Sequence, residues 1–155
     1  IEKFLKADYS AYRLTSKISS LVKKVYKDKD LIAYLTEDIV VCDKILNKKF
    51  LFSKPTCPDT FVFNGIRPCI IKSLDNQIVL KKLKKKYKSF AKILIFKKKI
   101  FLINKSIKKA KSMEEMLKFH LLVMKKINDK PLFLLDKEMQ YLSSMETEKY
   151  RQNLK

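Results

Sequence analysis

The stretch Ala91-Lys92-Ile93-Leu94-Ile95-Phe96-Lys97-Lys98-Lys99-Ile100-Phe101-Leu102-Ile103-Asn104-Lys105-Ser106 decides the fold. Two apolar runs rich in β-branched and aromatic residues, within Ala91–Phe96 and Ile100–Ile103, flank three lysines. This predicts two strands with a tight, charged connection. Ile93–Phe96 is apolar at every position, as expected of a central strand covered on both faces. Ser106 is placed to cap a long helix in which Ile107, Ala110, Met113, Met116, Leu117, His120, Leu121, Met124 and Ile127 recur at spacings of three and four. Asn128 to Pro131 ends it. Asp136 is then placed to cap a last helix carrying Met139, Leu142, Ser143, Met145 and Tyr150.

Upstream, Leu14, Ile18, Leu21, Val22 and Val25 mark one face of a helix ending near Tyr26, with Lys17, Lys23, Lys24 and Lys27 on its solvent face. Leu31–Leu35 fits either a strand or a short helix capped by Asp30. Thr36 or Asp38 is placed to cap a short helix through Ile45. Pro55, Pro58, Gly65 and Pro68 mark the main loop region, within which Phe61–Phe63 and Cys69–Ile71 read as short strands. From Gln77 to Tyr87, Ile78, Val79, Leu83 and Tyr87 keep helical spacing among Lys81, Lys82, Lys84, Lys85, Lys86 and Lys88, which describes a cationic amphipathic helix. Strands alternating with helices predict one α/β layered domain over residues 1–155, with a small mixed sheet flanked by helices and a helical N-terminal part at 1–49.

Composition sets the outer limits. The 155 residues, 46% of them apolar, suit one compact domain, and the apolar fraction is too high for a disordered basic tail. No apolar run exceeds four or five residues, against roughly 20 for a membrane span. Glu2, Lys3, Lys6 and Asp8 interrupt any signal-peptide core, so the expected location is cytoplasmic with no membrane partner. Lys and Arg number 36 against 16 Asp and Glu, a net charge of +20, but only Arg13, Arg67 and Arg151 are arginines. Bidentate phosphate and guanine recognition draws on arginine. Lysine excess on this scale fits drift of surface positions toward lysine better than it fits a selected anionic partner.

The segment Lys81 to Lys111 holds fourteen lysines and no acidic residue. Tyr87, Phe90, Phe96 and Phe101 interleave with them, either as a nucleic-acid groove or, the better fit, as core-facing positions of a helix and strands. Gly65 is the only glycine, which excludes glycine-rich phosphate loops. The three cysteines, Cys42, Cys57 and Cys69, lack C-x-x-C spacing and read as buried free thiols rather than as a zinc site with His120. His120 falls mid-helix, away from any nucleophile turn. Glu37 with Asp38, and Glu114 with Glu115, are sequence neighbours that do not face one another on a helix and read as surface charge.

The order of several short motifs resembles the C-terminal half of the long class II aldolase/adducin-family proteins related to rhamnulose-phosphate aldolase. Pro58-Asp59-Thr60-Phe61-Val62-Phe63, Gly65 and Arg67-Pro68 are similar to the family's proline-aspartate, hydrophobic strand, glycine and proline stretch. Ala91–Phe96, Ile100–Ile103 and Ser106-Ile107-Lys108-Lys109-Ala110 look like its strand-turn-strand-helix. Phe133–Glu138 and Glu146-Thr147-Glu148-Lys149-Tyr150-Arg151 are similar to its closing helix and tail. The likeness spans about residues 50–153. Lys97–Lys99 replace the usual turn glycines, and Thr60 stands where histidine is common.

The resemblance implies a non-metal domain of a carbohydrate-processing lyase. The family's zinc or other divalent metal, held by three histidines, and its glutamate would lie in a missing N-terminal half, because this chain has one histidine. It also implies an N-terminal aldolase domain or a second copy as partner, and a sugar phosphate near Lys97, Lys98, Lys99 and Arg67, the candidate anion-binding residues. Ile1 in place of Met fits a fragment or trimmed chain. The alternative expectations are a basic nucleic-acid- or ribosome-binding module built on Lys81–Lys111, and an oligomerisation domain using the methionine-rich helix Ser106–Ile127.

Overall fold

The computed structural model describes residues 9–75, 77–87, 89–127 and 130–145. The chain forms an α/β layered domain around a four-stranded mixed sheet. In chain order the elements are α1 (Tyr9–Tyr26), β1 (Ile32–Leu35), α2 (Lys44–Leu46, continuing as a π-helical turn over Asn47–Leu51), α3 (Pro58–Asn64), β2 (Cys69–Ile70) and α4 (Ile78–Tyr87). There follow β3 (Ile93–Phe96), β4 (Lys99–Asn104), α5 (Ile107–Lys126) and α6 (Asp136–Ser144). No helix among the described residues is long and apolar enough to cross a membrane.

The strand order is β1-β4-β3-β2, so both apolar runs are central, as expected of the first. β3 and β4 form an antiparallel hairpin in which Phe96 pairs with Lys99 and Ile93 with Leu102. β1 lies antiparallel on the other side of β4, with Leu35 opposite Phe101. β2 runs parallel to β3, with Cys69 opposite Leu94, and α4 supplies the crossover that a parallel pair requires.

Alternation along the strands then divides the core. Leu94, Phe96, Phe101 and Ile103 face α1 and α4, meeting Ile18, Leu21, Val22, Val25 and Leu80. Ile93, Ile100 and Leu102 face the other way, onto Ala110, Met113, Leu117 and Leu121 of α5. Both faces are covered, which is why Ile93–Phe96 and Ile100–Ile103 carry no polar residue. A third, smaller cluster joins Phe61 and Val62 of α3 to Met139 of α6.

Four expectations are corrected. Phe61–Phe63 is helical: Pro58 occupies the first turn, where its fixed φ and missing N–H cost nothing, and Phe61 N–H donates to the Cys57 carbonyl. Gly65 ends that helix at φ 74°, a backbone region that an L side chain rarely adopts. The helix expected from Thr36 or Asp38 through Ile45 begins later, at Lys44, because the Asp43 carboxylate caps it by accepting from the Ile45 and Leu46 N–H groups. Asp38 instead closes a turn, accepting from Val40 and Val41 at 2.9 and 3.0 Å.

At α6 the N-cap is Leu135, whose N–H donates to the Glu138 carboxylate at 2.7 Å; Asp136 is already the first helical residue, and Met145 lies past the end. Cys42 is exposed, Cys57 half-buried and Cys69 buried, so the expectation of three buried thiols holds for Cys69 alone. Leu31–Leu35, left open between helix and strand, supplies β1. Asn128, the Tyr87 side chain, Lys88 and the motif Glu146–Arg151 lie outside the described residues.

Candidate polyanion-binding face

α1 carries Arg13, Lys17, Lys23 and Lys24 and no acidic residue; α4 carries Lys81, Lys82, Lys84, Lys85 and Lys86 and no acidic residue. Their apolar stripes bury against the same side of the sheet, so all nine basic side chains are turned outward on one layer and are exposed. Tyr26 fixes the two helices together. Its hydroxyl donates to the Leu80 carbonyl at 3.4 Å and accepts from Ala91 N–H at 2.9 Å, which ties the end of α1 to α4 and to the entry of β3. Burial pushes the Tyr26 phenol up to about 12, only partly offset by the Ala91 N–H, so it stays a neutral donor at any physiological pH.

Lys84 donates to the Tyr26 carbonyl at 3.3 Å and sits 6.0 Å from the ring centre. Along α4, Lys81 with Lys85 and Lys82 with Lys86 are like charges four residues apart, an arrangement that repels. Acidic groups near this layer sit in its loops: Asp28 pairs with Lys105 at 3.4 Å, and Asp75 precedes α4.

The lysine-rich segment is therefore divided by the fold. α4 faces out beside α1, while Lys97 and Lys98 form the tip of the β3–β4 hairpin, both exposed and with φ of 49° and 62°. Positive φ at both central residues of a two-residue connection defines a type I′ turn, the geometry that matches strand twist and normally selects asparagine and glycine. Three of the interleaved aromatics face the core: Phe96 and Phe101 are buried, and the half-buried Phe90 meets Tyr26 edge-on at 6.1 Å.

Arg67 is not brought to that tip. The parallel register places it at the entry of β3, and the tip lies a strand length away, roughly 13 Å. Arg67 lines instead a cavity of about 50 Å³ with Gly65, Ser89, Lys92 and Ser143 over Phe61 and Phe90. That volume is well below the roughly 300 Å³ at which small-molecule pockets begin. Lys92 itself donates to the Val62 carbonyl.

The carboxylate pairs separate by role. Glu37 and Glu115 are exposed, whereas Glu114 accepts from the buried Thr36 hydroxyl, and from the Tyr34 hydroxyl at 3.5 Å. Asp38 takes Lys118 at 3.2 Å. Burial pushes the Asp38 carboxyl up, but the Val41 and Val40 N–H groups and Lys118 together hold it below its usual range. These contacts join the end of β1 to α5 and correct the expectation that both pairs are plain surface charge.

His120 is buried, and its Nε2 lies 3.0 Å from Ser53 Oγ. Ser53 gives its one hydroxyl hydrogen to the Phe50 carbonyl at 2.7 Å, so the ring must donate to Ser53 rather than accept from it. In this arrangement the ring is not a base toward Ser53, and burial keeps the imidazole pKa below its ordinary value. Among the described residues, no group of three or more His, Cys, Asp or Glu side chains is placed to hold a metal ion. In the helix expected to drive oligomerisation, Met113 and Met124 are buried in the domain's own core, and Phe119 and Leu122 are the exposed apolar residues of its later turns.

Sequence reasoning located the α4 lysines and missed their partners on α1. Arg13, Lys17, Lys23 and Lys24 are separated from α4 by more than fifty residues, and only long-range contacts, the shared apolar cluster and the Tyr26–Leu80 bond, put them in one layer. The absence of any acidic residue from the Tyr9–Tyr26 helix was the available signal. Comparison of the chain with protein-family models, curated proteins and solved structures finds no match.

Proposed function

We propose that the chain is a small basic α/β module that binds nucleic acid through the layer formed by α1 and α4. The observation that carries this reading is the nine exposed basic side chains on two adjacent helices that contain no acidic residue. Lysines of this kind act as point charges toward phosphate oxygens, and their binding is driven by release of counterions. The test is titration of labelled RNA and DNA from roughly 50 to 200 mM salt. Saturable binding is expected, with an affinity that falls steeply and linearly on logarithmic axes. Absence of saturable binding at roughly 100 mM salt overturns the reading.

A second reading is favoured by the succession β3, turn, β4 and α5 with its Ser106 cap: a non-catalytic C-terminal domain of a class II aldolase-like carbohydrate-processing protein, contributing fold and subunit contacts. The helical state of Phe61–Phe63 removes the hydrophobic-strand part of that likeness. Under this reading zinc titration of the chain gives no stoichiometric binding and no aldol cleavage; stoichiometric zinc binding with aldol cleavage overturns its non-catalytic form.

A further inference from the structure

We infer that the nucleic acid taken by the α1–α4 layer is single-stranded, its bases stacking on Tyr9 and Tyr12 and its phosphates following the basic side chains of the two helices. The inference rests on the nucleic-acid reading above and adds the class of strand. Tyr9 and Tyr12 are 69% and 72% exposed, three residues apart on one side of α1, with the exposed Arg13 adjoining. Large aromatic rings left in water on a cationic helix are what successive unpaired bases stack upon, and they have no use against a duplex whose bases are already stacked inside.

Phe90, Phe96 and Phe101 of the lysine-rich segment do not compete for this role, since Phe96 and Phe101 are in the core and Phe90 packs against it. From Tyr12 to Tyr26 the helix runs about 21 Å, which leads from the stacking end to the place where Lys84 meets α1. A strand laid along this path passes Lys23 and Lys24 on the way. Arginine scarcity fits the same reading: with Arg13 alone on α1 and none on α4, the layer lacks the forks that read guanine in a duplex groove.

An anionic bilayer is disfavoured by the same surface. Apart from the tyrosines, the exposed residues of α1 are serines and basic groups. The exposed aliphatics of α4, Ile78 and Val79, lie within a turn of the Tyr26–Leu80 contact, at the end of α1 far from Tyr9 and Tyr12. An interfacial helix needs its apolar residues together on one face.

The experiment measures binding of a labelled single strand of about 20 nucleotides, a duplex of the same sequence and phosphatidylserine vesicles at roughly 100 mM salt. The chain has no tryptophan and seven tyrosines, so the part of the tyrosine quenching that is lost when Tyr9 and Tyr12 are replaced reports stacking on those two rings. The expected result is tighter binding of the single strand with quenching. Tyr9→Ala with Tyr12→Ala should weaken single-strand binding by roughly thirtyfold or more without altering duplex affinity or the salt dependence, and Tyr9→Phe with Tyr12→Phe should restore it. Equal duplex affinity, or an alanine variant that binds the single strand as before, overturns the single-strand inference and leaves the nucleic-acid reading standing. Binding of neither nucleic acid overturns both, as does tyrosine-dependent binding of vesicles alone.

Discussion

On the α5 side of the sheet, Lys118 meets Asp38 at 3.2 Å, the Thr36 hydroxyl donates to Glu114, and the Asn64 amide sits across the Met113 carbonyl and Leu117 N–H at 3.1 and 3.2 Å. On the α1–α4 side, basic residues outnumber acidic ones nine to none on the helices themselves. The first layer uses its polar groups to tie loops to a helix. The second holds its helices by apolar burial and the Tyr26 hydroxyl and turns its charge outward, at a cost in repulsion along α4. Substitutions on the first layer should therefore be read in stability, and substitutions on the second in binding.

What the layers share is the sheet, and it carries the largest expected effect. Phe101 faces α1 and α4, its neighbour Leu102 faces α5, and both are fully buried. Phe101→Ala should lower unfolding free energy by about 3–5 kcal/mol and Leu102→Ala by about 2–5 kcal/mol in urea titrations. Comparable losses confirm two packed faces. A negligible loss for Leu102→Ala would mean that α5 is not docked as described, and the contrast between the layers would lose its basis.

Charge reversal on the outward layer separates the two readouts. Lys23→Glu, Lys24→Glu, Lys82→Glu and Lys85→Glu together should reduce nucleic-acid affinity on the order of 100-fold at low salt and flatten its salt dependence. The melting temperature should change little, because these side chains are exposed and relief of lysine repulsion along α4 opposes the cost of placing glutamates in the last turns of the two helices. Undiminished binding by this variant would move the interface off the α1–α4 layer.

On the partnered layer the same logic predicts a stability effect without a binding effect. Thr36 is buried, and its hydroxyl donates to Glu114 while accepting from Asp38 N–H at 3.3 Å. Thr36→Val keeps the shape and removes both bonds, so it should cost about 1–3 kcal/mol with nucleic-acid affinity unchanged. A neutral substitution would show that the bond between β1 and α5 contributes nothing to holding that layer.

How much of this was legible in the sequence depended on the range of the interaction. The hairpin, its place at the centre of the sheet and the Ser106-capped helix follow from patterns confined to a few residues, and all appear as expected. Phe61–Phe63 went the other way because a β-like triplet was outweighed by Pro58 at a helix start and Gly65 at its end, two residues that act through backbone geometry rather than side-chain type. The Thr36–Glu114 bond spans 78 residues and the Tyr26–Ala91 bond 65, and no local pattern carries them. The cationic layer depends on contacts of the same kind, the Tyr26–Leu80 bond across 54 residues and the apolar packing of α1 with α4, so composition could reveal an excess of lysine but not which lysines share a face.

The hairpin tip gives the smallest effect and the finest discrimination. Lys97 and Lys98 both lie at positive φ, a conformation that costs an L residue with a side chain roughly 1–2 kcal/mol relative to glycine. Lys98→Gly should therefore stabilise the fold by about 1 kcal/mol, visible as a higher urea midpoint. Its effect on binding decides what the strained lysines are for. The tip closes the sheet at the end of β3 remote from Arg67 and belongs to neither α1 nor α4, so affinity for a single strand should stay within about twofold, the change expected from one peripheral charge. A gain in stability accompanied by a large loss of affinity would instead make Lys98 part of the anion site and extend the binding surface from the α1–α4 layer around the end of the sheet.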